Sequence, residues 1–179
     1  MTAYVSLLRA VNLAGNNRVA MADLRRLYES LGFGGVATYV NSGNVVFSAR
    51  ATDVPRLPNR IERAIAARFG APIDVITRTA GDLRDAIAAN PFPTEAAADP
   101  TKVVVVFLPA SPAKAERDAL AKPVAGPERL KLVGADLYVH YPDGQGRSKL
   151  KLPLKAPGTA RNWNTVVKLA EMAAALEGG

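Results

Sequence analysis

Apolar positions along the chain change period several times, and each change marks a new element. Thr2 to Leu8 is a nearly continuous apolar run of strand length. Val19 to Leu31 instead repeats Met21, Leu24, Leu27, Tyr28 and Leu31 at helical spacing and stops at Gly32. Val36 to Val40 and Val45 to Ser48 are β-rich runs around the polar turn Asn41-Ser42-Gly43-Asn44, which predicts a hairpin. Pro55 to Phe69 brings Leu57, Ile61, Ala64, Ile65 and Phe69 to one helical face before Gly70, and Ile73 to Thr77 is a further strand. The order β-α-β-β-α-β is that of a ferredoxin-like unit, an antiparallel sheet with both helices on one face.

A short helix follows, with Thr79 and Asp82 spaced to cap its start and Asn90-Pro91 to stop it. Three prolines and the Ala96 to Ala98 run make residues 91–100 a connector, which places the boundary between halves 1–92 and 93–179. Lys102 to Leu108 is then a Val-rich strand, and Ser111-Pro112 reads as the cap and first residue of a helix running to about Ala121. Arg129 to Val133 and Asp136 to Tyr141 form a second hairpin around Gly134-Ala135, and a final helix runs from about Asn162 to Leu176. This second half, β-α-β-β-α, repeats the order of the first without any repeat of residues. The fold class expected is α+β, two ferredoxin-like (α-β plait) halves whose antiparallel sheets carry their helices on one face.

Composition narrows the chemistry. The 179 residues hold no cysteine, so disulfides and thiolate metal sites are excluded. Met1 leads directly into a strand and no apolar run approaches the roughly 20 residues that span a bilayer, so neither a signal peptide nor a membrane partner is expected. Twenty-three Lys and Arg stand against 16 Asp and Glu, and the excess is concentrated. From Gly144 to Lys168 there are six cations (Arg147, Lys149, Lys151, Lys155, Arg161 and Lys168) and no carboxylate. An anionic small molecule or nucleic acid is the partner class such a segment attracts.

Three polar strings interrupt core-like elements. Arg9-Ala-Val-Asn12, continued by Gly15-Asn16-Asn17-Arg18, puts cations and amides into the loop after the first strand. Asn41, Ser42, Gly43 and Asn44 suffice for a hairpin tip, and their amides and backbone N–H groups also suit an anion. Thr159-Ala-Arg161-Asn162-Trp163-Asn164-Thr165 surrounds a predicted helix start, where free N–H groups and Arg161 suit the same chemistry. Trp163 fits the buried face of that helix together with Val166, Val167 and Ala170. Gly144-Gln-Gly146-Arg147-Ser148-Lys149 follows a strand but matches neither the dinucleotide nor the P-loop pattern. An RNA-recognition surface would need aromatics on the central strands, where only Tyr4 and Phe47 are available. His140, the sole histidine, has no motif around it, and no spacing suits a metal. No cofactor is implied.

The strings Tyr4 to Asn12, Gly15-Asn16-Asn17, Met21 to Arg25, Thr38 to Phe47, Arg147 to Leu150 and Thr159 to Leu169 together resemble the bacterial family named domain of unknown function 1697. The resemblance runs through nearly the whole chain, with Ala10 standing where the family commonly has glycine. It implies a cytoplasmic α+β protein with plait-like halves, and it implies no reaction, cofactor or catalytic residue. The function expected is binding of a phosphate- or carboxylate-bearing ligand, or nucleic acid, by one site of Arg9, Asn12, Asn41, Ser42, Asn44, Arg147, Lys149, Arg161, Asn162 and Asn164. The alternatives are an enzyme acting on a small anionic substrate, and a structural or assembly protein whose polar strings bind its own backbone.

Overall fold

In the computed structural model, which describes residues 1–13, 18–50 and 56–178, the chain forms two four-stranded antiparallel sheets with helices. They fall in two units, Met1–Arg84 with Lys168–Gly179, and Asp85–Val167.

The first unit runs β1 (Thr2–Leu8), α1 (Met21–Ser30), β2 (Gly34–Tyr39), β3 (Asn44–Ala49), α2 (Leu57–Phe69), β4 (Val75–Thr79). Its strands lie in the order β2-β3-β1-β4, every neighbour antiparallel, which is the plait order. β1 is central, with Tyr4 opposite Phe47 on one side and Thr79 on the other. Tyr4, Leu8, Val45 and Phe47 pack against Leu24 and Tyr28 of α1 and Leu57, Ile61 and Ile65 of α2, the residues the helical spacing singles out. Phe47 is the hub, its ring centroid 4.7 Å from that of Phe33, 5.2 Å from Tyr28 and 5.8 Å from Tyr4. Gly70, at φ +76°, ends α2 as a left-handed cap. The opposite face is buried as well, through Ala3, Val5, Leu7 and Val46, so burial is not confined to the helical face of the sheet. The far end of the chain contributes to this unit: a Cβ on Gly35 would lie 2.3 Å from Leu176 of α6 (Trp163–Gly178).

The helix expected after β4 is α3 (Ala80–Ala88), and its start is a reciprocal cap in which Thr79 N donates to Asp82 (2.7 Å) and Asp82 N to the Thr79 hydroxyl (3.0 Å). The connector holds a short helix α4 (Pro93–Ala98) and a 3₁₀ turn at Pro100–Lys102. The division between the units runs through α3 and through α6, whereas the proline-based reading placed one boundary at residues 92 and 93.

The second unit contains β5 (Val103–Phe107), α5 (Lys114–Leu120), β6 (Arg129–Val133), β7 (Asp136–His140) and β8 (Thr159–Asn162) in the order β6-β7-β5-β8, the plait order again. Three details differ from the sequence expectation. Thr159–Asn162 is not the entrance of the final helix but a strand, paired with β5 so that Arg161 lies opposite Val105. The crossover that α2 makes in the first unit is made here without a helix, by a 3₁₀ turn (Gln145–Arg147) and an extended stretch whose Leu150, Leu152 and Leu154 pack on the core. Pro142, Pro153 and Pro157, with leucines at every second position, exclude a helix there. α5 is capped not by Ser111 but by Glu116, whose carboxylate reaches back to Ala113 N (3.2 Å). Among the described residues no helix is long and apolar enough to cross a membrane.

Glu116 also accepts from Lys155 N at 2.7 Å, tying the extended stretch to α5. These backbone donors, Lys155 first, hold its carboxyl below the usual glutamate value of 4.5. A carboxylate lowered on folding stabilises above its unfolded value, and that contribution is lost as pH falls through the folded value. Glu116→Gln will therefore unfold at lower urea than wild type at neutral pH, with the gap closing as pH drops below 4.5. An equal gap at both pH values would show that the charge on Glu116 does not make this tie.

Candidate functional site

In the second unit, the chain leaving β7 turns at Gly144 (φ +86°), whose N–H bonds the Tyr141 carbonyl at 3.0 Å. It then extends, and the period of two separates the side chains: Leu150, Leu152 and Leu154 inward, Lys149, Lys151 and Lys155 to solvent. Between this stretch and the loop from α5 to β6 lies a cavity of about 690 Å³. Its walls include Leu120, Val124, Leu130 and Leu150, and exposed cations line it: Lys122, Arg147, Lys149 and Lys151. None of these four is within ion-pair distance of a carboxylate among the described residues, whereas Arg9, Arg25, Arg26, Lys114 and Arg129 each hold one.

One carboxylate lies deeper. Glu128 is 8% exposed, and one of its oxygens accepts from the Ser148 hydroxyl, which in turn accepts from Leu150 N at 3.1 Å. Gly126 gives the other oxygen room, since a Cβ there would approach it to 2.1 Å. Tyr141 is pushed up, first by its own burial and then by the negative charge of Glu128. The cavity therefore combines apolar walls, an outer set of four cations with the exposed carboxylate Asp143 among them, and a buried hydrogen-bond acceptor.

Arg147 and Lys149 are the two predicted site residues that line this cavity. Arg161 does not line it: it is buried on β8, its guanidinium donating to the Thr159 hydroxyl (2.7 Å) and the Ala160 carbonyl (2.8 Å). Burial pushes its value down to about 10. Asn162 caps α6 by accepting from Thr165 N at 3.0 Å, Asn164 is exposed, and Trp163 is half-buried.

In the first unit the polar strings bind backbone. Asn12 donates to the Val19 and Asn41 carbonyls, each at 2.9 Å, and accepts from Val19 N at 2.9 Å. Asn44, fully buried, donates to the Tyr39 carbonyl (3.0 Å) and the Ser42 hydroxyl (2.9 Å). Arg9 holds Asp74 at 2.9 Å, an exposed pair. Ala10, Asn12 and Val40 take φ of +53°, +54° and +49°, a conformation glycine adopts without strain. Gly43 cannot carry a side chain, as a Cβ would meet Val11 at 2.6 Å and Leu8 at 2.8 Å. A shallow groove of about 570 Å³ at this end is lined by Asn12, Arg18, Asp23, Asn41 and Arg68, and there Asp23 is lowered chiefly by its hydrogen bond from Arg26. Gly15, Asn16 and Asn17 lie outside the described residues.

Glu128 and Lys122 are not named in the sequence reading, and Lys151 is named there only as one of the six cations of the basic segment and not as a site residue. Lys151 had a signal, the alternation from Lys149 to Leu154, and Glu128 had none beyond following Gly126-Pro127.

Residues 1–138 match the family described as protein of unknown function, DUF1697. The solved structure of conserved bacterial protein SP0830 from Streptococcus pneumoniae superposes with a TM-score of 0.72 at 23% identity, covering 96% of this chain and 98% of that one. At that identity the likeness is one of fold. None of the curated proteins matches the chain.

The bonds of Asn12 predict a structural penalty. Asn12→Ala removes the amide that closes the loop and leaves a positive φ to a residue that resists it, so it will cost about 2–3 kcal/mol in urea unfolding. A loss under about 0.5 kcal/mol, the range of an ordinary surface change, would show that the loop does not depend on this amide.

Proposed function

The chain belongs to the DUF1697 family, and from the chemistry of its second-unit cavity we propose that it binds a small molecule bearing a phosphate or carboxylate. The observation that carries this reading is the set of Lys122, Arg147, Lys149 and Lys151 around an apolar-walled cavity, with no ion pair to any of them among the described residues. Four cations against two lining carboxylates, Asp143 and Glu128, leave a positive excess at the cavity, which an anionic ligand offsets through charge-assisted hydrogen bonds. The volume is that of small-molecule sites, about 300–1,000 Å³, which are mostly apolar with a few polar groups fixing orientation.

The polar strings of the first unit support a structural reading for themselves. The amides of Asn12 and Asn44 are engaged by the protein's own carbonyls, so these residues hold the turns that follow β1 and precede β3.

The test is titration of the full chain with pyrophosphate and with citrate at low salt, followed by calorimetry. Arg147→Ala combined with Lys149→Ala will weaken binding of the anion that binds by about tenfold or more, each charge-assisted bond contributing on the order of 1.5–3 kcal/mol. Binding in wild type that the double variant leaves unchanged would remove the cavity as the site.

A further inference from the structure

The cavity holds a feature that an anion alone does not use. Glu128 is a carboxylate, an acceptor with no donor of its own, and at 8% exposure it is nearly out of solvent. Its one protein donor is the Ser148 hydroxyl, and no cation stands within ion-pair distance of it among the described residues, although four cations line the same cavity. The second carboxylate oxygen lies close against Gly126, where a Cβ would come within 2.1 Å of it. With one protein donor on Glu128, the carboxylate keeps acceptor capacity for the hydroxyl donors of a ligand.

The burial of these groups sets an order. Arg147, Lys149 and Lys151 are exposed and form the rim, Glu128 is buried and forms part of the floor, and Leu120, Val124 and Leu130 supply apolar wall. A ligand that meets all three carries an anionic group at one end, hydroxyl donors that reach the floor, and an apolar flat or bulky part. Sugar hydroxyls held by an acidic side chain, with the phosphate held elsewhere, is a pairing that nucleotide sites use for the same physical reason. Inorganic phosphate meets only the rim, and a sugar phosphate leaves the apolar wall uncovered.

Resting on the reading of this cavity as an anion site, we infer that its ligand is a nucleoside phosphate, with the ribose hydroxyls donating to Glu128, the phosphate on Arg147 and Lys149, and the base against the Leu120–Leu130 wall. Glu128 is then a specificity-determining residue that separates a nucleotide from a bare anion. Its negative charge also repels a phosphate placed at the floor, which fixes the direction in which the ligand enters.

The experiment is calorimetric titration of the full chain with inorganic phosphate, ribose 5-phosphate and each of the common ribonucleoside 5′-monophosphates. Wild type is compared with Glu128→Gln and with Arg147→Ala combined with Lys149→Ala, and thermal unfolding checks that each variant is folded. At least one nucleotide will bind about tenfold or more tighter than phosphate or ribose 5-phosphate. Glu128→Gln, which keeps the side chain's shape, will weaken that nucleotide by about tenfold while leaving phosphate within about twofold, because a hydrogen bond to a charged group is lost only for the ligand with hydroxyls. The double variant will weaken both. If phosphate binds as tightly as every nucleotide and the double variant abolishes it, the anion reading stands and this inference falls. Unchanged nucleotide affinity in folded Glu128→Gln also overturns it. Should Glu128→Gln not fold, the wild-type ranking of the three kinds of probe decides alone. No binding of any probe, of pyrophosphate or of citrate removes the anion reading together with this one.

Discussion

Each sheet is organised around a central strand that is hydrogen-bonded along both edges and buried on both faces. β1 is held by β3 and β4, β5 by β7 and β8, and every residue of Val103–Phe107 is buried. Such a strand leaves its backbone no water to bond and its side chains no solvent face, so it must be almost wholly apolar. Ser6 is the one interior exception in β1, and it lies beside Tyr28, whose hydroxyl is pushed up by burial and drawn back by Ser6. Neither hydroxyl meets a partner at good hydrogen-bond geometry among the described residues. The chain can become polar only beyond the strand's end. There Arg9 to Asn12 turn through two positive φ values and Asn12 and Asn44 bond carbonyls that the sheet no longer serves. The polar strings of the first unit are a result of that constraint.

The second unit meets the same constraint with fewer helices. A helix is about 10–12 Å across with its side chains. The extended stretch that replaces one covers the core with three alternate leucines and a single layer of chain. Covering a sheet this way leaves space against the α5–β6 loop, and its other face carries lysines by the same alternation. The cavity and its cationic rim are therefore two products of one missing helix.

Much of this was legible in sequence because it is local. The Val103–Leu108 run, the Asn41–Asn44 turn and the Thr79–Asp82 spacing each state their structure within a few residues. β8 was not legible, because four residues carry little periodicity and Asn162 does cap the helix that follows it. Its buried positions are Thr159 and Arg161, which no hydrophobic pattern would place inward. Prolines at 91–100 report where the chain bends, whereas the two compact units divide within α3 and within α6. Of the site, Arg147 and Lys149 stood out as cations in a glycine-bearing loop, while Glu128 is a lone carboxylate whose burial depends on a loop twenty residues away closing over it through Ser148.

The second sheet has β6 at one edge and β8 at the other, and along β6 Arg129 and Lys131 alternate with Leu130 and Leu132. The leucines turn to the core and the cations stay in water. A second copy adding its own β6 in antiparallel register would bring lysine opposite lysine or arginine opposite arginine, a pairing that costs free energy. An uncapped edge is otherwise a template on which sheets grow from one molecule into the next. The charges on β6 thus oppose, along this edge, the strand-by-strand growth from one molecule into the next that ends in fibres.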